Sequence, residues 1–147
     1  MQAKLTARVL GFAGLIPFYA FLLGFWLTED YPRSVSVQGF VIYSLAILCF
    51  LSGALWGSVK TLSPIEQPMR LLISNGLVVF AVASVLTAQA VMAAGLLMLG
   101  YLALLWYERN VDGSLGWYAR MRGQLTAGVV VAHVLYLWLH IALESGA

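Results

Sequence analysis

The chain has 147 residues, of which 62% are hydrophobic and only 10% are charged. Soluble domains carry about 25% charged residues, so this composition excludes an ordinary soluble enzyme or binding domain. The net charge of +2 is too small to indicate a nucleic-acid partner, and because Cys49 is the single cysteine, an internal disulfide is excluded.

Four long segments of the chain lack charged side chains: residues 9–27, 34–59, 71–107 and 123–143. A bilayer core of roughly 30 Å is crossed by about 20 helical residues, so the third segment has room for two spans and each of the others for one. We therefore predict an all-α membrane bundle of five transmembrane helices in a single domain, residues 1–147. The predicted helices cover residues 5–27, 35–59, 71–85, 88–107 and 123–143.

The predicted connections are short and polar. Residues 28–34 contain one proline, and residues 60–70 contain Pro64 and Pro68, both unfavourable inside a helix. A tight turn at residues 85–89, marked by Thr87 and Gln89, separates the third and fourth helices. Residues 108–122 form the longest predicted loop.

The distribution of basic residues predicts the orientation of the bundle. With the N-terminus in the cytoplasm, the outer side carries only Arg33. The inner side then carries Lys4, Arg8, Lys60, Arg70, Arg109, Arg120 and Arg122. Because Lys and Arg concentrate on the cytoplasmic side, we expect a cytoplasmic N-terminus and a C-terminus on the opposite side of the lipid bilayer.

The last predicted helix carries the most informative polar pattern. Thr126, His133 and His140 recur every seven residues, with Tyr136 between the histidines, so these side chains share one helix face. His133 lies near the middle of the bilayer and is expected to point into the bundle towards a polar partner. Candidate partners at that depth are Ser52, Tyr101 and the backbone carbonyl of Ala13.

Two hypotheses remain for this stripe. In the first, His133, Tyr136 and His140 line a site for a small apolar ligand such as a quinone, a porphyrin or a lipid. In the second, His133 is a neutral structural residue bonded across helices. No cofactor is predicted, because a bis-His haem needs ligands on two different helices and both histidines lie on one.

Small residues predict close helix contacts at two places. The second helix contains Gly53 and Gly57 at four-residue spacing around Trp56, a pattern that lets another backbone approach. The first helix contains Gly11, Gly14 and Pro17, and the proline predicts a kink near the middle of the membrane.

Features of catalytic or transport proteins are missing from the predicted spans. None contains Lys, Arg, Asp or Glu at depth, which argues against carboxylate proton relays and voltage sensors. No metal-ligand spacing, nucleophile–base pair or glycine-rich phosphate loop is evident.

Three segments resemble one known family: Leu10 to Phe18, Gly53 to Gly57, and Trp117 to Thr126. They are similar to a domain-of-unknown-function family of small proteobacterial inner-membrane proteins that has a mitochondrial transmembrane relative. The resemblance implies a polytopic membrane protein without an established activity. Family members often carry a histidine before the tryptophan of the middle segment, and Leu55 stands at that position here.

Three classes of function remain open. The first is a non-catalytic accessory, assembly or stabilising component of a membrane complex, with another membrane protein or a second copy as partner. The second is a binder of an apolar ligand in a cavity near Pro17 and His133. The third is a membrane enzyme that uses His133, Tyr136 and His140.

Overall fold

The computed structural model describes residues 1–113 and 115–146, and these contain helices and no strand. The helices are α1 (Gln2–Ala13), α2 (Ile16–Leu27), α3 (Asp30–Gly57), α4 (Gln67–Thr87), α5 (Ala90–Val111) and α6 (Trp117–Ser145). A short 3-10 turn, Val59–Thr61, follows α3. Because α1 and α2 form one interrupted rod, the described residues make five helical rods long and apolar enough to cross a bilayer. The predicted number of spans is confirmed, and the chain is a multi-pass membrane protein by this criterion.

The first rod breaks earlier than expected. The interruption lies at Gly14 and Leu15, whereas Pro17 sits in the first turn of α2. A proline in the first turn costs little, because the amide hydrogen it lacks would have no partner inside the helix. The exposed backbone at the break is satisfied from α3, where the Tyr43 hydroxyl donates to the Gly14 carbonyl at 2.8 Å.

Four of the five rods begin before their predicted starts, at Gln2, Asp30, Gln67 and Trp117. Pro68 lies in the first turn of α4, so the expectation that it belongs to a loop is wrong for the same reason as at Pro17. The turn between the third and fourth rods is confirmed, since α4 ends at Thr87 and α5 begins at Ala90.

The short connections make consecutive rods antiparallel neighbours. Helix α3 packs against α2, α4 and α5, while α6 packs against α5 and α2. We call the end of the bundle that holds the start of α1 the N-terminal end; α3 and α5 finish there, and α4 and α6 begin there. The opposite end is the C-terminal end.

Helix α4 packs closely because its buried side chains are mostly small. Ser74, Ala81 and Ser84 face the bundle, and the Ser74 hydroxyl donates to the Ser52 carbonyl of α3 at 2.6 Å. Helix α4 therefore covers the side of α3 that carries Ser52, and the opposite side of α3 remains uncovered.

Candidate functional site

His133 lies at the centre of the bundle, and none of its surface is exposed. Its Nδ1 is 2.8 Å from the Val129 carbonyl, and its Nε2 is 2.7 Å from the Ser44 hydroxyl oxygen of α3. A carbonyl can only accept, so Nδ1 carries the proton and donates to Val129. In the neutral ring Nε2 then accepts from the Ser44 hydroxyl. Both ring nitrogens are therefore satisfied within the protein.

Aromatic rings close the remaining space around His133. The ring centroids of Phe18, Phe40 and Tyr101 lie 5.7, 4.9 and 5.5 Å from the imidazole centroid. Tyr136 stacks on Phe40 at 4.4 Å with an interplanar angle of 13°. We call Phe18, Phe40, Ser44, Tyr101, His133 and Tyr136 the histidine core. Every one of them is buried.

The burial of His133 is as expected, but its predicted partners are wrong. Ser52, Tyr101 and the Ala13 carbonyl do not bond to the imidazole; Ser44 does, two helical turns before Ser52. The physical reason is the depth assigned to each residue of α3. Because α3 starts at Asp30 rather than at residue 35, its midpoint lies earlier in the chain than predicted, nearer Ser44 than Ser52. Tyr101 does reach the core, where its hydroxyl donates to the Ser44 carbonyl at 2.7 Å.

Tyr136 and His140 lie on the same face of α6 as His133. The Tyr136 hydroxyl donates to the Val37 carbonyl at 3.0 Å, and the His140 ring packs 4.8 Å from Phe25 and 4.9 Å from Tyr136. His140 is only partly buried, and its Nε2 has no hydrogen-bond partner among the described residues. The structure thus brings the three stripe residues together, but only His140 keeps a free ring nitrogen.

Tyrosine hydroxyls that bond to carbonyls of other helices are a feature that the sequence analysis missed. Besides Tyr43, Tyr101 and Tyr136, the Tyr19 hydroxyl of α2 donates to the Gly128 carbonyl of α6 at 2.8 Å. Tyr19 and Tyr43 lie deep inside predicted spans, where a hydroxyl without a partner is costly. That depth could have distinguished them from interfacial tyrosines.

Two ion pairs formed by buried arginines join three rods at the N-terminal end. Arg70 of α4 bonds to Asp112, and Arg122 of α6 bonds to Glu108 at 3.0 Å. Both acidic partners lie at the end of α5, one turn apart. Arg70 also donates to the Ser58 hydroxyl at 2.6 Å and lies over the Tyr107 ring at 5.7 Å. These arginines therefore fasten α4 and α6 to α5, which is a structural role.

Among the described residues, nothing packs against Gly53 and Gly57, where a helix contact was predicted. No atom lies within 4 Å of the position that a Cβ would occupy at either glycine, and the Trp56 side chain is 55% exposed. The buried side of α3 follows Ser44, Leu48, Ser52 and Leu55, and Gly53 points away from it. We call Phe50, Gly53, Ala54 and Gly57 the outer α3 face.

Two glycines of the first rod lie close to side chains of other helices. A Cβ at Gly11 would meet the Leu125 side chain of α6 at 3.0 Å. Gly14 lies in the helix break, and the Tyr43 hydroxyl approaches its carbonyl. Pro17 is partly buried beside this break.

The bundle has an apolar groove, but it lies away from Pro17 and His133. It is about 400 Å³ in volume and runs between α2 and α6 near the C-terminal end. Its lining residues are Tyr19, Leu22, Leu23, Trp26, Leu135, Trp138 and Leu139. Within residues 1–113 and 115–146, no group of three or more His, Cys, Asp or Glu side chains could hold a metal ion.

Comparison with known proteins gives one match. A family model described as "Protein of unknown function (DUF3429)" matches residues 3–138. Neither a curated protein nor a solved structure matches the chain.

Proposed function

The chain belongs to the DUF3429 family, whose description carries no activity, and we propose that it is a non-catalytic accessory component of a membrane complex. In this proposal the outer α3 face packs against a transmembrane helix of another membrane protein. The observation that carries the proposal is the open space over Gly53 and Gly57, two glycines one helical turn apart on α3. The other uncovered glycines inside long helices, Gly76 and Gly95, each lie without a second uncovered glycine on their helix.

The histidine core supports a structural rather than a catalytic role. A general base or a ligand-binding histidine needs a nitrogen that a substrate can reach. Both nitrogens of His133 are occupied by Val129 and Ser44, and the ring is fully enclosed. The enzyme hypothesis therefore gains no support from the geometry at His133.

The outer α3 face has the shape that favours helix association in lipid. Water does not drive apolar helices together inside a bilayer, so close van der Waals packing over small residues becomes important. Gly53, Ala54 and Gly57 leave the backbone accessible, and Phe50, 72% exposed, offers one large side chain to a partner. Lipid tails would pack less closely against this surface than a second helix would.

Orientation and location are part of the proposal. The seven basic residues at the N-terminal end support a cytoplasmic N-terminus and a C-terminus on the other side of the membrane. The family resemblance supports a bacterial inner membrane, which would place the C-terminus in the periplasm. The same resemblance, carried by three sequence segments, supports the proposal that this chain has a mitochondrial transmembrane relative. Topology reporters fused after Gln89 and at Ala147 are expected to report the periplasm, and a cytoplasmic signal from either fusion would contradict this orientation.

Photocross-linking in native membranes tests the proposed contact. A small diazirine amino acid replaces Ala54 on the outer α3 face, and in a matched variant it replaces Ala103, which is also exposed but lies on α5. We expect a discrete protein adduct from position 54 and mainly lipid adducts from position 103.

The adduct also identifies the partner. A product of twice the chain mass would indicate a second copy of the chain, and a different mass would indicate another protein. Lipid adducts alone at position 54 would contradict the proposal, because the outer α3 face would then be a lipid-facing surface like that of Ala103.

A second candidate function is supported by the groove between α2 and α6. Trp26 and Trp138 both line it, and two indoles beside an apolar space suit a flat aromatic ligand such as a quinone. Quenching of tryptophan fluorescence by a short-chain benzoquinone tests this function. We expect saturable quenching that Trp26→Phe reduces and Trp106→Phe, outside the groove, does not. Equal effects of both substitutions would contradict a site in the groove.

A further inference from the structure

A second cavity lies at the N-terminal end, where the first two turns of α1 meet the start of α6. Its volume is about 460 Å³. Its lining residues are Met1, Gln2, Lys4, Leu5, Arg8 and Trp117. It is distinct from both the outer α3 face and the groove between α2 and α6.

The charge of this cavity has one sign. Lys4 and Arg8 line it, and no acidic residue does. Among the described residues, neither cation forms an ion pair, whereas the buried Arg70 and Arg122 are both paired with carboxylates. Two unneutralised cations in one concave site attract an anion that offers several oxygen atoms.

Trp117 holds one of these cations at the cavity. The Lys4 ammonium lies 5.6 Å from the centroid of the Trp117 ring, a cation–π contact that joins α1 to α6. Such a contact restricts the ammonium position without using its N–H donors in a carboxylate pair. The ammonium is therefore free to donate to a phosphate oxygen.

An apolar stripe leads from the cavity along α1. Leu5, Val9 and Phe12 are all exposed, and their spacing of four and three residues places them on one face of the helix. Helix α1 buries none of its side chains, so this stripe has no covering element within the described residues. The stripe runs from the basic cavity along α1 towards the middle of the bundle. This course suits the acyl chain of a lipid whose headgroup occupies the cavity.

We propose that Lys4, Arg8 and Trp117 form a specific binding site for the phosphate of an anionic phospholipid, with an acyl chain along Leu5, Val9 and Phe12. A zwitterionic headgroup adds a cation that Lys4 and Arg8 would repel, so an anionic headgroup binds better. A bound lipid would connect α1 to α6 at a level where the protein itself supplies few contacts.

Native mass spectrometry of the full chain in mild detergent tests the proposal. The probes are phosphatidylglycerol and phosphatidylcholine with identical acyl chains. The variants are Lys4→Gln and Lys60→Gln, since Lys60 is an exposed lysine at the same end but outside the cavity. We expect wild type to retain phosphatidylglycerol preferentially and Lys4→Gln to bind it about fivefold more weakly, as removal of one lysine near the headgroup implies.

Comparison of the Lys4 and Lys60 variants distinguishes a specific binding site from general electrostatic attraction. Lys60→Gln is expected to leave phosphatidylglycerol binding unchanged, and an equal loss in both variants would overturn the proposal. Retention of both lipids to the same extent by wild type would also overturn it. Displacement of phosphatidylglycerol by equimolar soluble glycerol phosphate would assign the cavity to free phosphate anions and contradict the lipid assignment. Unchanged thermal stability of Lys4→Gln verifies that the fold is intact.

Discussion

The histidine core and the outer α3 face lie on opposite sides of the same helix and differ in how completely their residues are covered. In the core, Ser44 faces inward and its hydroxyl is bound to His133. On the outer face, Gly53 and Gly57 touch nothing within 4 Å of a Cβ position. A polar residue deep in a bilayer must be buried inside the protein, because an unsatisfied hydrogen-bonding group is costly in lipid. A glycine allows another helix to approach closely but does not require it.

The largest expected effect comes from removing the centre of the core. His133→Ala leaves a cavity and removes the acceptor of the Ser44 hydroxyl, so the free energy of unfolding should fall by about 3 kcal/mol. Equilibrium unfolding in SDS measures this change. Val134→Ala, at the exposed neighbouring position, should change stability by less than about 0.5 kcal/mol. Equal small effects at both positions would mean that the core is not closed.

A glycine that does contact another helix should respond to enlargement. A Cβ at Gly100 would lie 2.7 Å from Leu48 Cδ2, and Gly100 is buried. Gly100→Leu should therefore destabilise the chain by about 1–3 kcal/mol through overpacking. Thermal denaturation in detergent measures the loss, and an unchanged melting temperature would contradict the contact between α3 and α5.

The hydrogen bond between Ser44 and His133 can be measured by a double-mutant cycle. Ser44→Ala leaves the imidazole Nε2 without a donor, and His133→Phe leaves the Ser44 hydroxyl without its acceptor. The combined variant leaves neither group unpaired, so a coupling energy of about 1–2 kcal/mol is expected between the two positions. Additive effects would show that the 2.7 Å contact contributes no net stability.

The smallest expected effect belongs to the outer α3 face. A Cβ at Gly53 would meet no atom within 4 Å among the described residues, so the unfolding free energy of Gly53→Leu should differ from that of wild type by less than about 0.5 kcal/mol. Leucine also favours helix more than glycine does, which would offset small losses. The same denaturation assay as for Gly100→Leu checks this result. A loss as large as that of Gly100→Leu would mean that α3 packs on another rod through Gly53.

The sequence predicted the parts of the structure that follow from strong physical costs. Gaps between charges indicated the five rods, and the depth of His133 indicated its burial, because charge and unpaired polarity are both expensive in lipid. The partner Ser44 was missed because α3 begins at Asp30, in a polar stretch where Pro32 is tolerated in the first turn of the helix.

Small residues were harder to interpret, for a different reason. Gly11 and Gly53 look alike in the sequence, yet a Cβ at Gly11 would meet Leu125 while a Cβ at Gly53 would meet nothing. Which glycine is covered depends on the rotation of each helix, which is set by all the contacts together. The break at Gly14 and Leu15 was displaced from Pro17 because a proline can begin a helix as well as interrupt one.

The most direct test of the proposed partner contact combines the two properties of the outer α3 face. The diazirine at position 54 is cross-linked in native membranes with Gly53 intact and with Gly53→Leu, while the stability of each purified chain is measured separately. We predict that Gly53→Leu abolishes the discrete protein adduct and leaves stability unchanged, because the leucine blocks the partner helix and nothing within the chain. An adduct that persists undiminished in Gly53→Leu would contradict the contact.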